Sequence, residues 1–213
     1  MLVGHYSAAF LAKAAEPRVP LWVLAVAAQL LDVVWALLVL LGVEHLRLDP
    51  SLPSNPLDLY DMPWTHSLAA AVVWSVLAGA LASRWLASAR AGAVVAATVA
   101  SHWVFDWLVH RPDLPLWPGS AKLGLGLWDH PAWALALELS LLLGSAWLCA
   151  RRMSAPAGRG IARLVAALAG IQLALTIGPP PVGAGAVPVI ALVLFGVVVW
   201  ACARIESGRK TAG

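Results

Sequence analysis

Three ionisable side chains, His102, Asp106 and His110, recur every four residues at the end of an apolar run from Ala91 to Ala100. At 3.6 residues per turn this spacing stacks all three on one helix face with only a slow drift. The residues between them are bulky and apolar, among them Trp103, Val104, Phe105 and Trp107. An ionisable group in such surroundings is costly unless it is paired, protonated or bound to a metal. Imidazole and carboxylate alternating at i, i+4 favour the metal. That donor set suits zinc, and also iron or manganese.

The elements that must position these groups follow from hydropathy. Of 213 residues, 61% are hydrophobic and 12% charged, about half the charged fraction of an ordinary soluble domain. The composition predicts an all-α, polytopic transmembrane helical bundle of about six to seven spans. It is read as one integral membrane domain over residues 1–213, with no separate soluble domain, no internal repeat and no secretory signal peptide. Leu2 to Ala15 is a short apolar segment, marginal for a full span. Pro20 to Val43 is a full span interrupted by Gln29 and Asp32. An acidic, proline-containing connector runs from Glu44 to Met62, and Pro63 opens a helix to about Trp85, as proline at a first helical position does. Ala91 to His110, Pro131 to Ala150, Gly160 to Ile177 and Ala186 to Ala203 are the remaining spans, with a Pro/Gly-rich outer connector from Arg111 to His130. Residues 1–140 carry the candidate metal ligands and residues 160–205 read as scaffold. Cys149 and Cys202 lie in late apolar segments without metal-ligand spacing and are expected to be core residues.

Basic residues set the orientation. If the loop carrying Arg151, Arg152, Arg159 and Arg163 is cytoplasmic and spans alternate, the C-terminal tail with Arg204, Arg209 and Lys210 is cytoplasmic too. Then 11 of the 14 Lys and Arg residues lie inside, all but Arg47, Arg111 and Lys122, as the positive-inside rule requires. The modest net charge of +3 is spread over loops and makes no case for nucleic-acid binding.

With this orientation the scattered polar residues converge. His5 starts the first segment at its outer end, Asp32 is reachable from the outer half of the second, and His66 lies about one turn into the third. His102, Asp106 and His110 line the outer part of the fourth. His130 opens the fifth, with Glu138 about 12 Å deeper along the axis. Singly, each has an ordinary explanation. A histidine at a span end is usually interfacial, and His110 suits the negative end of a helix. The tryptophans form an aromatic belt, and Thr65 and Ser67 are capping or interhelical hydrogen bonders. Those explanations do not account for His66, His102, Asp106, Asp32 and Glu138 arriving from four spans at compatible depth, with no buried Lys or Arg to neutralise the acids. There are too many ligands for one tetrahedral zinc, which predicts two or more divalent ions. Such a cluster suits phosphoester hydrolysis.

The sequence Pro63-Trp-Thr-His66-Ser and the element Ser101-His102-Trp-Val-Phe-Asp106, preceded by His5 and Asp32, resemble the YdjM-like bacterial inner-membrane proteins described as membrane-bound metal-dependent hydrolases. The resemblance covers about residues 1–140 and extends to zinc-dependent phospholipase C, whose ligands run in the order His, Asp, His, His-x-x-x-Asp, His, His, Glu. The order here is His5, Asp32, His66, His102-x-x-x-Asp106, His110, His130, Glu138. This chain departs from that pattern in beginning with Met1 where the soluble enzymes use a tryptophan ligand, and in placing Glu138 eight residues after His130. The resemblance implies that His66, His102 and Asp106 hold one zinc ion and that His5 and Asp106 contribute to a neighbour, with Asp106 bridging. It also implies that Asp32 is a ligand or general base, and that His110 and Glu138 serve a further ion. Arg111 is placed to steer a substrate phosphate, or else to snorkel to the interface. Asp113 is a supporting or turn residue.

The resulting expectation is a phosphoesterase of the bacterial inner membrane acting on a lipid or lipid-linked phosphate from the outer-leaflet side. The different-class alternative is a non-catalytic metal-binding or transport protein using the same His/Asp cluster. The apolar inner halves of the spans count against transport. A third is a structural polar network without metal.

Overall fold

The computed structural model describes residues 1–207; Arg209 and Lys210 of the basic tail lie outside the described residues. Eight helices account for most of these residues: α1 (Tyr6–Ala15), α2 (Leu21–Ala28), α3 (Leu30–Leu40), α4 (Leu68–Trp85), α5 (Ala89–Val109), α6 (Pro131–Ala150), α7 (Ala155–Ile177) and α8 (Ala186–Ser207). Five of them, α4 to α8, are long and apolar enough to cross a membrane, and α2 with α3 adds a sixth if the bent pair counts as one span. The chain is an all-α helical bundle, with the length and composition of a multi-pass membrane protein.

The span expected from Pro20 to Val43 is two helices meeting at 56°. Gln29 sits at the break with φ −111° and ψ 10°, outside helical geometry, and its side-chain amide donates to the Leu2 carbonyl at 2.9 Å. The break leaves the Ala28 carbonyl free of the helix ladder, and the site below uses it. α4 begins at Leu68, five residues later than Pro63. Ser67 is its N-cap, accepting from the Ala70 amide at 3.1 Å and donating to the Pro63 carbonyl at 2.7 Å, so Pro63 to His66 form a turn outside the helix.

Two short antiparallel hairpins occupy the connectors at one end of the bundle. β1 (His45–Leu48) pairs with β2 (Leu57–Asp61), and β3 (Leu114–Pro115) with β4 (Lys122–Leu123). Turn-forming prolines and glycines marked these connectors, but the strands are too short to show a period of two. A 3₁₀ turn, Leu127–Asp129, leads into α6.

The opposite end is stitched by charge. Lys13, buried at the end of α1, pairs with Glu206 at the end of α8 and donates to the carbonyls of Pro17 and Val19 at 2.9 Å. Arg90 at the start of α5 pairs with Glu16 at 2.7 Å and reaches the Ala15 carbonyl, while Arg152 after α6 donates to the Ala14 carbonyl at 2.9 Å. Between the two ends lie two apolar cores. One, around Leu24, Leu31, Val95 and Val99, joins α2, α3, α4 and α5. The other, around Phe10, Leu21, Leu142, Ile161 and Val198, joins α1, α2, α6, α7 and α8.

Candidate metal centre

α5 supplies the central wall. His102, Asp106 and His110 lie on one face as the i, i+4 spacing requires, and all three are buried. Trp103 locks this face to the next element by donating its indole N–H to the His66 carbonyl at 3.0 Å. The turn before α4 brings His66, the residue preceding α1 brings His5, and the first turn of α3 brings Asp32. Six of the residues singled out in the sequence, His5, Asp32, His66, His102, Asp106 and His110, therefore meet at one point. The ligand atoms of His5, Asp32 and His102 lie within 4.8 Å of one another, as do those of His66, His102 and Asp106.

The two oxygens of Asp106 divide the histidines between them. Oδ2 lies 3.1 Å from His102 Nε2 and 3.6 Å from His66 Nε2. Oδ1 lies 3.1 Å from His5 Nε2 and 3.4 Å from His110 Nε2, and the Met1 amino nitrogen is 2.7 Å from it. Asp32 Oδ1 faces the first pair, 3.3 Å from His66 Nε2 and 3.6 Å from His102 Nε2. The rings of His5 and His102 stack with centroids 3.6 Å apart.

Outer partners fix which ring nitrogen faces inward. His102 Nδ1 lies 2.8 Å from the Ala28 carbonyl. A carbonyl only accepts, so Nδ1 carries the proton and the Nε2 lone pair points at the carboxylates. His110 Nδ1 is held in the same way by Asp113 Oδ1 at 2.9 Å. His66 Nδ1 lies 2.8 Å from Thr65 Oγ1, which is itself 2.7 Å from Glu44 Oε2. Glu44 is fully buried, and its Oε1 accepts the amides of Trp64 at 2.7 Å and Thr65 at 3.0 Å. Burial pushes the Glu44 carboxyl above its ordinary value, and these three donors oppose the shift.

These features fit a divalent ion. His102 Nε2 is buried without a hydrogen-bond partner among the described residues, which is costly for a polar atom left so. Two carboxylates and three imidazoles are the donors such an ion takes, and the outer hydrogen bonds are those that orient ligating histidines. The buried His/Asp cluster can hold a metal ion.

The other expected residues stand apart from this point. Glu138 is buried, and its Oε2 accepts the amides of Leu2 at 3.0 Å and Gly4 at 3.2 Å, clamping the segment that carries His5. His130 is exposed as the N-cap of α6. Arg111 ties the outer loops together: Nε donates to Asp129 Oδ1 at 2.7 Å, and Nη2 to the carbonyls of Pro53 and Asn55 at 2.6 and 3.0 Å. The connector after α5 closes over the cluster, with Gly126 N donating to the His110 carbonyl at 2.7 Å and Leu125 N to the Trp107 carbonyl at 2.9 Å. The Trp128 ring lies against His110 at 4.0 Å. Glu44 and the Ala28 carbonyl carry roles that residue type and spacing did not reveal. The one available signal was a threonine directly before His66.

No family model, curated protein or solved structure matches the chain.

Proposed function

We propose that the chain is a membrane-embedded, metal-dependent phosphoesterase acting on a lipid or lipid-linked phosphate. The observation that carries this reading is the convergence on Asp106: four imidazoles within 3.6 Å of its two oxygens, with a second carboxylate, Asp32, beside two of them. His66, His102 and Asp106 Oδ2 would hold one zinc ion, with Asp32 beside it. Asp106 Oδ1, His5 and His110 would serve a neighbouring one. His102 has a single inward lone pair and would serve one ion, while the two oxygens of Asp106 face both groups of histidines, so that its carboxylate would be common to the two. Zinc in such a pair lowers the pKa of water and stabilises the oxygens entering and leaving phosphorus.

The chain's own residues contribute placement and proton handling. The Asp32 side chain is 17% exposed while those of His5, His66, His102, Asp106 and His110 are 4% or less. Water and substrate therefore approach on the Asp32 side, where its carboxylate orients the attacking water and takes its proton. Ala28 and Asp113 hold two imidazoles so that the lone pairs are not lost to tautomerisation. The resemblance of the His66 and His102-x-x-x-Asp106 elements to YdjM-like proteins and to zinc-dependent phospholipase C supports the same assignment. The basic end of the bundle supports placement in a bacterial inner membrane with the C-terminus cytoplasmic and the site toward the outer leaflet. The apolar packing of Phe10, Leu21, Leu24 and Leu142 below the cluster speaks for a site reached from one side, as hydrolysis needs, over a transport path.

The test is turnover of a panel of lipid phosphoesters by purified, zinc-loaded protein. Wild type is expected to cleave at least one class, and Asp32→Asn to reduce turnover by about 100-fold or more while retaining most of its zinc. Absence of cleavage across the panel by zinc-loaded wild type overturns the enzymatic reading.

A further inference from the structure

The inward lone pairs of His102 and His110 are secured by oxygens that only accept. His66 is different, because its Nδ1 faces a hydroxyl, and the Thr65 hydroxyl can either donate to a ring nitrogen or accept from it. If it donated, the proton of neutral His66 would sit on Nε2, the nitrogen that faces Asp32 and Asp106, and the lone pair needed there would be lost. The choice is made one residue further out. Glu44 Oε2 lies 2.7 Å from Thr65 Oγ1, and three donors converging on the two oxygens hold this carboxyl as an acceptor, so the single hydroxyl proton of Thr65 goes to Glu44. The hydroxyl must then accept from His66 Nδ1–H.

Glu44 is itself held against rotation. Its other oxygen, Oε1, is fixed by two backbone amides, those of Trp64 and Thr65, and the residue has no exposure to solvent. We propose that Glu44 and Thr65 are positioning residues: a carboxylate–hydroxyl–imidazole relay that sets the His66 tautomer and aims its Nε2 lone pair into the cluster. That this lone pair meets a metal rests on the function proposed above; the tautomer does not.

The relay makes an unusual demand on Glu44→Gln. The glutamine carbonyl must take the position facing the two backbone amides, because an NH₂ group there would oppose two donors. Its NH₂ then faces Thr65 and donates to the hydroxyl. The hydroxyl proton, released from residue 44, is then available to His66 Nδ1, and the His66 proton moves to Nε2. An isosteric change, neutral in shape, reverses the direction of both hydrogen bonds. Thr65→Val removes the relay at nearly constant volume, and Thr65→Ser preserves it.

Two readouts on the full chain in detergent micelles test this. The first is the ¹⁵N shift pattern of the His66 ring in metal-free protein, with His66→Ala to assign it. Wild type and Thr65→Ser are expected to carry the proton on Nδ1, and Glu44→Gln on Nε2. The second is zinc affinity by chelator competition. Glu44→Gln and Thr65→Val are expected to bind about 10–100-fold more weakly than wild type, the range for partners of a ligating histidine, and Thr65→Ser within about threefold of it. A wild-type His66 protonated on Nε2, or a Glu44→Gln ring unchanged from wild type, overturns the relay. So does unchanged zinc affinity in both Glu44→Gln and Thr65→Val when His66→Ala has lost it. Failure of the metal reading has a different signature: wild type that binds no zinc while its His66 ring still shows Nδ1–H.

Discussion

Asp106 has a shortage of neutralising charge that its neighbours resolve. Among the described residues no Lys or Arg side chain pairs with it, and its two oxygens instead meet four imidazoles and the Met1 amino group. A buried carboxylate in that setting is stable only if charge and hydrogen bonds are supplied locally, and three of the four histidines, His66, His102 and His110, are oriented from behind. Asp113 does this for His110 alone, so its loss has a confined effect. Asp113→Ala is expected to weaken zinc binding about 10–100-fold in chelator competition, with the affinity restored largely by Asp113→Asn, whose carbonyl also accepts. At this scale the sequence was readable where chemistry is local. His102, Asp106 and His110 declare themselves by spacing, and His66 by its Thr-His-Ser context. Glu44 could not be read, because the contact joins residues 21 apart across a hairpin and an acid in an acidic connector carries no pattern. Arg111 shows the converse. Its position past α5 is open to a phosphate-steering role, yet two of its guanidinium nitrogens are engaged by Asp129, Pro53 and Asn55, contacts made by folded loops rather than by sequence neighbours.

The helices deliver these residues through close approach. α4 and α5 cross where Gly79 faces Gly92: a Cβ added to Gly79 would lie 2.8 Å from the Ala96 Cβ and 2.9 Å from the Gly92 carbonyl oxygen, and one added to Gly92 would lie 2.6 Å from the Gly79 carbonyl oxygen. Backbone cannot yield as a side-chain tip can, so a larger residue forces the helices apart. Gly79→Val is expected to cost about 1–3 kcal/mol, read as a lowered thermal midpoint in detergent, and to weaken zinc binding because His66 precedes α4 while His102 and Asp106 ride on α5. Hydropathy located the long helices well, since burial in lipid imposes length and apolarity on each. It located their ends poorly. The start of α4 is decided by the Ser67 cap and not by Pro63, and the break between α2 and α3 is decided by Gln29 reaching the chain at Leu2, a tertiary contact. That break exposes the Ala28 carbonyl to His102, so the interruption in the span is part of the site.

Across the whole molecule, the two ends have different chemistry. One gathers the hairpins, most of the acids and the His/Asp cluster; the other gathers Lys13, Arg90 and Arg152 with their carboxylate and carbonyl partners. This polarity is what charge distribution alone suggested, because a membrane sorts basic residues to one side before any tertiary contact forms. Native Cys149 and Cys202 are buried, so single introduced cysteines report orientation cleanly. Ala121→Cys is expected to react with an impermeant maleimide from the outer face of intact cells and Arg159→Cys only after permeabilisation; the reverse pattern would invert the proposed topology. The central claim, that the cluster is a metal centre, is tested most directly by the metal content of protein purified without chelators. Wild type is expected to carry about two zinc equivalents per chain, and Asp106→Ala, which removes the carboxylate common to both groups of histidines, close to none. A wild-type protein that is folded, exposed to zinc and still metal-free would contradict it.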